Sequence, residues 1–257
     1  MALIHPTAII DSTAELGPDV EIGPYCVVGP AVRLGAGVRL MSHAVVEAYT
    51  TVGAGCTLFP FCSVGSQTQD LKYRGGVTRA EIGERTTIRE YVTINRATAD
   101  GDVTRVGADC HIMAYAHVAH DCVLGDGVIL ANCGTLAGHV TLEDRVILGG
   151  LSAVHQFVRI GRLSIIGGCS KVTQDVPPFM TADGHPLQIR TINAIGLARN
   201  NVPDSTQRLL KAAYRMLYRS GLSTSDALEK MESELEPTAE ISALIDFIRE
   251  SKRGITK

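Results

Sequence analysis

Isoleucine, leucine and valine recur every sixth residue along two thirds of this chain. The register begins Ile4, Ile10, Leu16, Ile22, Val28, Leu34, and returns as Val106, Ile112, Val118, Leu124, ending at Ile160, Ile166 and Val172. Of its 29 positions from 4 to 172, 26 are Ile, Leu or Val; a chain with 20 Ile, 22 Leu and 23 Val in 257 residues would place about 7 there by chance. The exceptions are Asp70, Gly76 and Asp100. Four residues after each aliphatic comes a small or β-branched residue, as in Ala8, Ala14, Val20, Cys26, Val32 and Val38. Glycine often follows the aliphatic directly (Gly17, Gly23, Gly83, Gly107), where tight or positive-φ turns are expected of it. The pattern predicts a short strand and a turn every six residues, with aliphatics stacked inside a solenoid.

Two polar, Gly-rich stretches interrupt it. Residues 66–81 (SQTQDLKYRGGVTRAE) and 97–105 (ATADGDVTR) read as loops projecting from the coils, a common location for function. The repeats stop at DVPPF (175–179), where paired prolines end a strand. From about residue 188 the period changes to 3.6. Asn201–Ser220 places Leu209, Leu210, Ala213, Tyr214 and Leu217 on one face, Ser223 with Asp226 forms a capping box, and a third helix follows Pro237. The expected domains are a β-solenoid over 1–187 and a helical region over 188–257.

Composition narrows the class. Charged residues are 20%, hydrophobic ones 45% and the net charge is −3, which excludes a wholly disordered chain and gives no polyanion-binding signature. No nucleic-acid partner is expected. No apolar run approaches the roughly 18 residues of a membrane helix, and MALIHPTAIID lacks a basic leader, so neither membrane insertion nor export is expected. Seven cysteines without a CxxC pair argue against disulfides and structural zinc. Five of them (Cys26, Cys56, Cys62, Cys110, Cys122) lie in the small-residue register and read as buried packing residues. A reducing, cytoplasmic setting is expected.

The six-residue repeats resemble those of the hexapeptide-repeat proteins, a resemblance that implies three-sided coils of 18 residues in which residues 18 apart are stacked. His120, Gly138 and Gln156 then form one column, and Asp121 stacks with His139. His117 lies between inward-facing Ala116 and Val118 and should face out; His120, His139 and His155 occupy turns. A neutral imidazole can accept a proton near neutral pH, and a glycine N–H one coil away can donate to an oxyanion. Asp121 is a candidate orienter of a histidine. A base and an oxyanion donor without a nucleophile point to direct acyl transfer onto a hydroxyl.

The repeats resemble the hexapeptide-repeat, left-handed parallel β-helix proteins, implying a mainly β fold with a C-terminal α-helical domain. Within them AHVAHDC (116–122), LAGHV (136–140), AVHQF (153–157), QDLKY (69–73) and QDVPP (174–178) are similar to the cytoplasmic, acyl-carrier-protein-dependent UDP-N-acetylglucosamine 3-O-acyltransferases, which begin lipid A assembly. The resemblance covers the whole chain. It implies His120 as general base, Asp121 as its partner and the Gly138 amide as oxyanion donor. It assigns substrate contacts to Gln69, Asp70, Lys72, His117, His139, His155 and Gln156, and nucleotide contacts to Asn193 and Arg199 in TINAIGLARNN (191–201). Where many members carry an acidic residue two after the Asn this chain has Ile195, and where some carry an Arg pair it has Arg199 then Asn200. The acceptor is therefore a 3-hydroxyl or a 3-amino UDP-sugar. No metal or dissociable cofactor is implied, the acyl chain arriving on the phosphopantetheine of acyl carrier protein. The family resemblance also supplies a homotrimer, with sites between protomers.

Two surface features add expectations. Arg208, Lys211, Arg215 and Arg219 form one basic helix stripe, suited to an acidic carrier protein. Gly150 and Gly168 stack to leave a strip without side chains, a wall for an alkyl groove, and the neighbouring column runs His117, Thr135, Ala153, Lys171. Coils about 4.8 Å apart put Lys171 roughly 14 Å from His117, near 11 carbons at about 1.3 Å each, which makes Lys171 a candidate floor. The alternatives are a hexapeptide acyltransferase using CoA or another nucleotide sugar, the later N-acyltransferase of the same route, a non-catalytic scaffold, and a trimeric β-helix metalloenzyme. The last would use three histidines, one pair five apart, and no two histidines here are five apart.

Overall fold

The computed structural model describes residues 2–257. Strands of mostly two residues form three parallel sheets of 11, 9 and 8 strands, wound in strict rotation. The chain passes from the first sheet (Leu3–Ile4) to the second (Ile9–Ile10) to the third (Glu15–Leu16), and returns to the first at Glu21–Ile22. Leu3 pairs with Glu21 and Ile4 with Ile22, so a coil is 18 residues. In each pair the first residue faces out and the register aliphatic faces in. Val28, Val46, Leu58, Ile88, Ile112, Leu130 and Leu148 are all at most 1% exposed. The five small-register cysteines are buried, Cys133 is half-buried and Cys169 exposed.

The loops explain the missed register positions. Leu58 pairs with Ile88, 30 residues on, and Ile88 with Ile112, 24 on. The two insertions therefore add twelve and six residues, whole numbers of hexapeptides. The six-residue phase survives across them, and Asp70, Gly76 and Asp100 are the positions that leave the coil. Strands Ser63–Ser66, Arg79–Ile82, Thr93–Asn95 and Val103–Val106 trim the loops to residues 67–78 and 96–102. Both lie on the edge between the second and third sheets.

The expected role of glycine needs correction. Gly83 and Gly107, each directly after an aliphatic, are not among the positive-φ residues. A Cβ on Gly83 would lie 2.4 Å from the backbone of the next coil, so the requirement is close approach of stacked turns. Positive φ falls two residues later, where Tyr25, Asp121, His139 and Arg145 are among 20 non-glycine residues that adopt it. The stacked neighbours hold these otherwise disfavoured turns in place.

At the far end Met180–Asp183 joins the first sheet and pairs antiparallel with Gln188–Ile192. The latter segment, assigned to the helical region by its sequence, is thus a strand. Four helices follow: α1 (Ala194–Arg199), α2 (Asp204–Tyr218), α3 (Thr224–Glu234) and α4 (Ala239–Arg249). Ser223 caps α3 through the Asp226 amide as expected, and Thr238 caps α4. No helix is long and apolar enough to cross a membrane.

Candidate active site

The second–third edge carries the site. His120 sits two residues after inward Val118, in the turn leading to the third sheet, and is 9% exposed. Its Nδ1 lies 2.8 Å from Asp121 Oδ2. Asp121 is held in turn from both sides: its amide donates to Thr104 Oγ1 (2.8 Å), and its Oδ1 accepts from the Thr98 amide (3.3 Å). The imidazole lies across Gly138, one coil on. A Cβ at Gly138 would meet the ring at 2.3–2.5 Å, so only glycine fits beneath this histidine. The Gly138 carbonyl accepts from Phe157, while its amide donates to no backbone or side-chain acceptor among the described residues. That leaves the N–H available beside the imidazole.

His139 Nε2 lies 3.6 Å from Asp121 Oδ2, its ring edge-on to His120 and stacked on Phe157 at 4.7 Å. Asp70 descends from the first loop to place Oδ2 4.0 Å from His120 Nε2. Thr68 and Thr98 bond at 2.9 Å between the loops, Arg96 N–H donates to the Ser66 carbonyl, and Asn95 Nδ2 to that of Gln67. The Lys72 amide donates to Asp70, and this bond, with the positive potential of His120, Lys72 and His139, holds the Asp70 carboxyl below the usual range. His117, facing out from the second sheet, bonds Thr93 Oγ1 through Nδ1 at 2.7 Å. Burial, with a smaller contribution from His120, pushes its pKa down.

The structure therefore gathers His120, Asp121, Gly138, His139 and Asp70, with His117 on the adjoining face and Gln156 next in the His120–Gly138 column. Gln69 and Lys72 are exposed on the loop, and His155 is exposed with Arg253 at 3.4 Å. Thr98, Thr104, Phe157 and Arg253 carried no local signal. Phe157 alone was reachable, since it continues the column of Asp121 and His139. Donor atoms of His120, Asp121 and His139 lie within 4.8 Å of one another and could hold a metal ion.

Three predicted groups lie elsewhere on the protomer. Asn193 and Arg199 bracket α1 on the third–first edge. Asn193 is the N-cap, accepting from the Gly196 amide and donating to the Leu163 carbonyl at 2.8 Å. Arg199 is exposed in the last turn. Gly150 and Gly168 stack on the first–second edge with Gly168 open to solvent, across the second sheet from His120. The column between them runs His117, Thr135, Ala153, Lys171 in direct register, with Lys171 exposed. Arg208, Lys211, Arg215 and Arg219 are exposed on one side of α2 and at its C-cap.

Comparison with known proteins is consistent along the whole chain. A family model described as "Udp N-acetylglucosamine O-acyltransferase; Domain 2" matches residues 175–256, and one for "Bacterial transferase hexapeptide (six repeats)" matches residues 104–138. The acyl-(acyl-carrier-protein)–UDP-N-acetylglucosamine O-acyltransferase of Gloeothece citriformis is 52% identical over 248 residues, 96% of this chain and 90% of that protein. Its counterpart in Verminephrobacter eiseniae is 47% identical over all of both chains. The crystal structure of the UDP-N-acetylglucosamine acyltransferase of Bacteroides fragilis superposes with a TM-score of 0.97 at 39% identity, covering 99% of this chain and 100% of that one. The Acinetobacter baumannii structure gives 0.95 at 43%, covering 99% and 100%. The solenoid is thus a left-handed parallel β-helix with a C-terminal helical region, and the chain belongs to the acyl-(acyl-carrier-protein)–UDP-N-acetylglucosamine O-acyltransferases.

Proposed function

We propose that this chain moves a 3-hydroxyacyl group from acyl carrier protein to the 3-position of UDP-N-acetylglucosamine or its 3-amino analogue, the first step of lipid A synthesis, in the cytoplasm. The observation that carries the mechanism is the buried His120–Asp121 pair lying on Gly138. His120 Nε2 takes the acceptor proton while the acceptor oxygen attacks the thioester carbon. Negative charge gathers on the carbonyl oxygen, which accepts from the Gly138 N–H. Collapse breaks the C–S bond, and the proton on His120 passes to the departing phosphopantetheine sulfur. Asp121 orients the imidazole, and Asp70 and His139 bind acceptor hydroxyls. No step uses a metal or a further cofactor.

The outer faces of the prism support a trimer. The third sheet presents Glu15, Arg33, Glu81, Arg105 and Arg159, with Arg33–Glu15 and Arg105–Glu81 paired along it. The second sheet presents Ile9, Val27, Val45, Ser63, Thr93 and His117, and the first carries a Glu21–Arg39 pair near its start and Ile129, Ile147 and Ile165 in later coils. Where those two sheets meet, Tyr25, His43, Phe61, Tyr91 and Tyr115 stack at 4.8–5.1 Å along the edge, Tyr115 59% exposed. Three copies with this aromatic edge at a common axis pack the first sheet of one protomer on the second sheet of the next. The second–third edge carrying His120 then meets the third–first edge of the neighbour, which carries Asn193 and Arg199. This accounts for the distance between those groups within one chain.

Mass spectrometry of products from UDP-N-acetylglucosamine and its 3-amino analogue, with a panel of 3-hydroxyacyl carrier proteins, tests the assignment. Acylation of one sugar by the protein and none by His120→Ala is expected. Transfer from CoA alone, or to neither sugar, would refute it.

A further inference from the structure

Arg145 occupies the positive-φ position of a third–first turn, and its stem lies across Gly127 of the preceding coil. In the corresponding turn earlier in the solenoid, Arg85 finds Asp109 in the next coil and bonds it twice at 2.8 Å. Arg145 has no such partner, because its column neighbours are Gly127 and Leu163. The nearby Asp126 and Asp144 carboxylates accept backbone amides of adjoining coils, at 2.8 and 2.9 Å. Arg145 turns instead to the C-terminus of α1, where Nη1 donates to Asn200 Oδ1. The preceding residue, Arg199, is exposed. The Arg145 guanidinium is thus drawn to the end of a short helix whose last turn carries a second arginine, Arg199, with no carboxylate paired to either among the described residues. Helix C-terminal carbonyls favour one such cation, but a second beside it is repelled unless an anion is shared.

We infer that Arg145 is a further substrate-binding residue, completing with Arg199 a clamp for the diphosphate of the nucleotide sugar. Guanidinium groups suit phosphate oxygens because each offers paired N–H donors in one plane. The level along the solenoid fits. Gly127, under the Arg145 stem, belongs to the same coil as His120, the one with strands His117–Val118 and Val123–Leu124. Rotation about an axis parallel to the solenoid preserves level, so Arg145 of one protomer stands one coil on from the level of His120 of the next, its stem resting on Gly127 at that level. The inference rests on the proposed transferase reading and adds a residue to its nucleotide site.

Isothermal titration with UDP and with uridine, on the intact protein, separates the possibilities. Arg145→Ala and Arg145→Gln should each weaken UDP roughly tenfold and leave uridine unchanged, as loss of a charged phosphate contact requires. The KM for the UDP-sugar should rise in parallel while that for acyl carrier protein stays. Asn200→Arg placed in the Arg145→Ala protein should restore UDP affinity. If Arg145→Gln binds UDP like the unaltered protein while Arg199→Ala does not, Arg145 only tethers Asn200 and the inference falls. If neither Arg145→Gln nor Arg199→Ala alters UDP binding, the diphosphate is held elsewhere and both this inference and the nucleotide assignment at this edge fail. Equal weakening of UDP and uridine would make Arg145 a support for α1, which also overturns the clamp.

Discussion

Gly138 shows how tightly one position can couple packing to chemistry. A methyl group there would stand 2.3 Å from His120 Cε1, and what must move is the imidazole, the end of a side chain, not backbone. Gly138→Ala should therefore fold with a melting temperature close to that of the unaltered protein yet lose about 10²-fold in kcat, the scale expected when a base is misplaced by an ångström. His120→Ala removes the base and keeps the amide donor; its kcat should fall by at least ~10². Single-turnover assays on both variants check this. An activity within threefold for His120→Ala would move the base to another group, with His117 next in line. The column rule made His120, Gly138 and Gln156 legible because backbone stacking alone sets that spacing. Asp70 was assigned only by motif. Its position over His120 depends on the Thr68–Thr98 bond between loops 30 residues apart, for which a linear pattern carries no signal.

At the scale of elements, periodicity was legible where the same environment repeats. Two insertions of whole hexapeptides kept the phase, and amphipathic α2, α3 and α4 are long enough to show their own period. Helix α1 has six residues, less than two turns, and exists through the Asn193 cap and its bond to Leu163. The Gln188–Ile192 strand is fixed by its antiparallel partner. Along α2, Arg208, Lys211 and Arg215 are exposed and carry no ion pair among the described residues. Reversing all three to Glu should raise the KM for acylated carrier protein and flatten its salt dependence, while the KM for UDP-sugar barely changes. Equal change in both would mean that α2 has lost its packing. The second-sheet column makes a separate prediction about chain length. The spacing of roughly 14 Å between His117 and Lys171 favours 3-hydroxyacyl donors of about 10–12 carbons, because a longer tail would press on an ammonium group. Lys171→Gly should shift the preference upward in competition assays. A protein that already prefers 14 carbons, with the variant unchanged, would rule out Lys171 as the floor.

At the scale of the whole molecule, the proposed site is made by symmetry, and symmetry can be tested by mixing. Glutamate at Tyr91 or Tyr115, in the stacked edge, would bring three carboxylates to the axis; either change should yield monomers in sedimentation without turnover. That result alone would show that assembly is needed and would not show which groups meet across the interface. His120→Ala and Arg199→Glu each spoil all three sites of their own trimer. When the two proteins are co-expressed and assemble at random, an interface works if the Arg199→Glu protomer supplies His120 and the His120→Ala protomer supplies Arg199. Random pairing gives that combination at about a quarter of interfaces. Mixed trimers separated from the pure ones by different affinity tags each hold one such interface in three, and should therefore recover up to roughly a third of full activity, from two parents that have almost none. If verified mixed trimers stay inactive, His120 and Arg199 must act within one protomer, and the packing of the first sheet on the neighbour's second sheet is wrong.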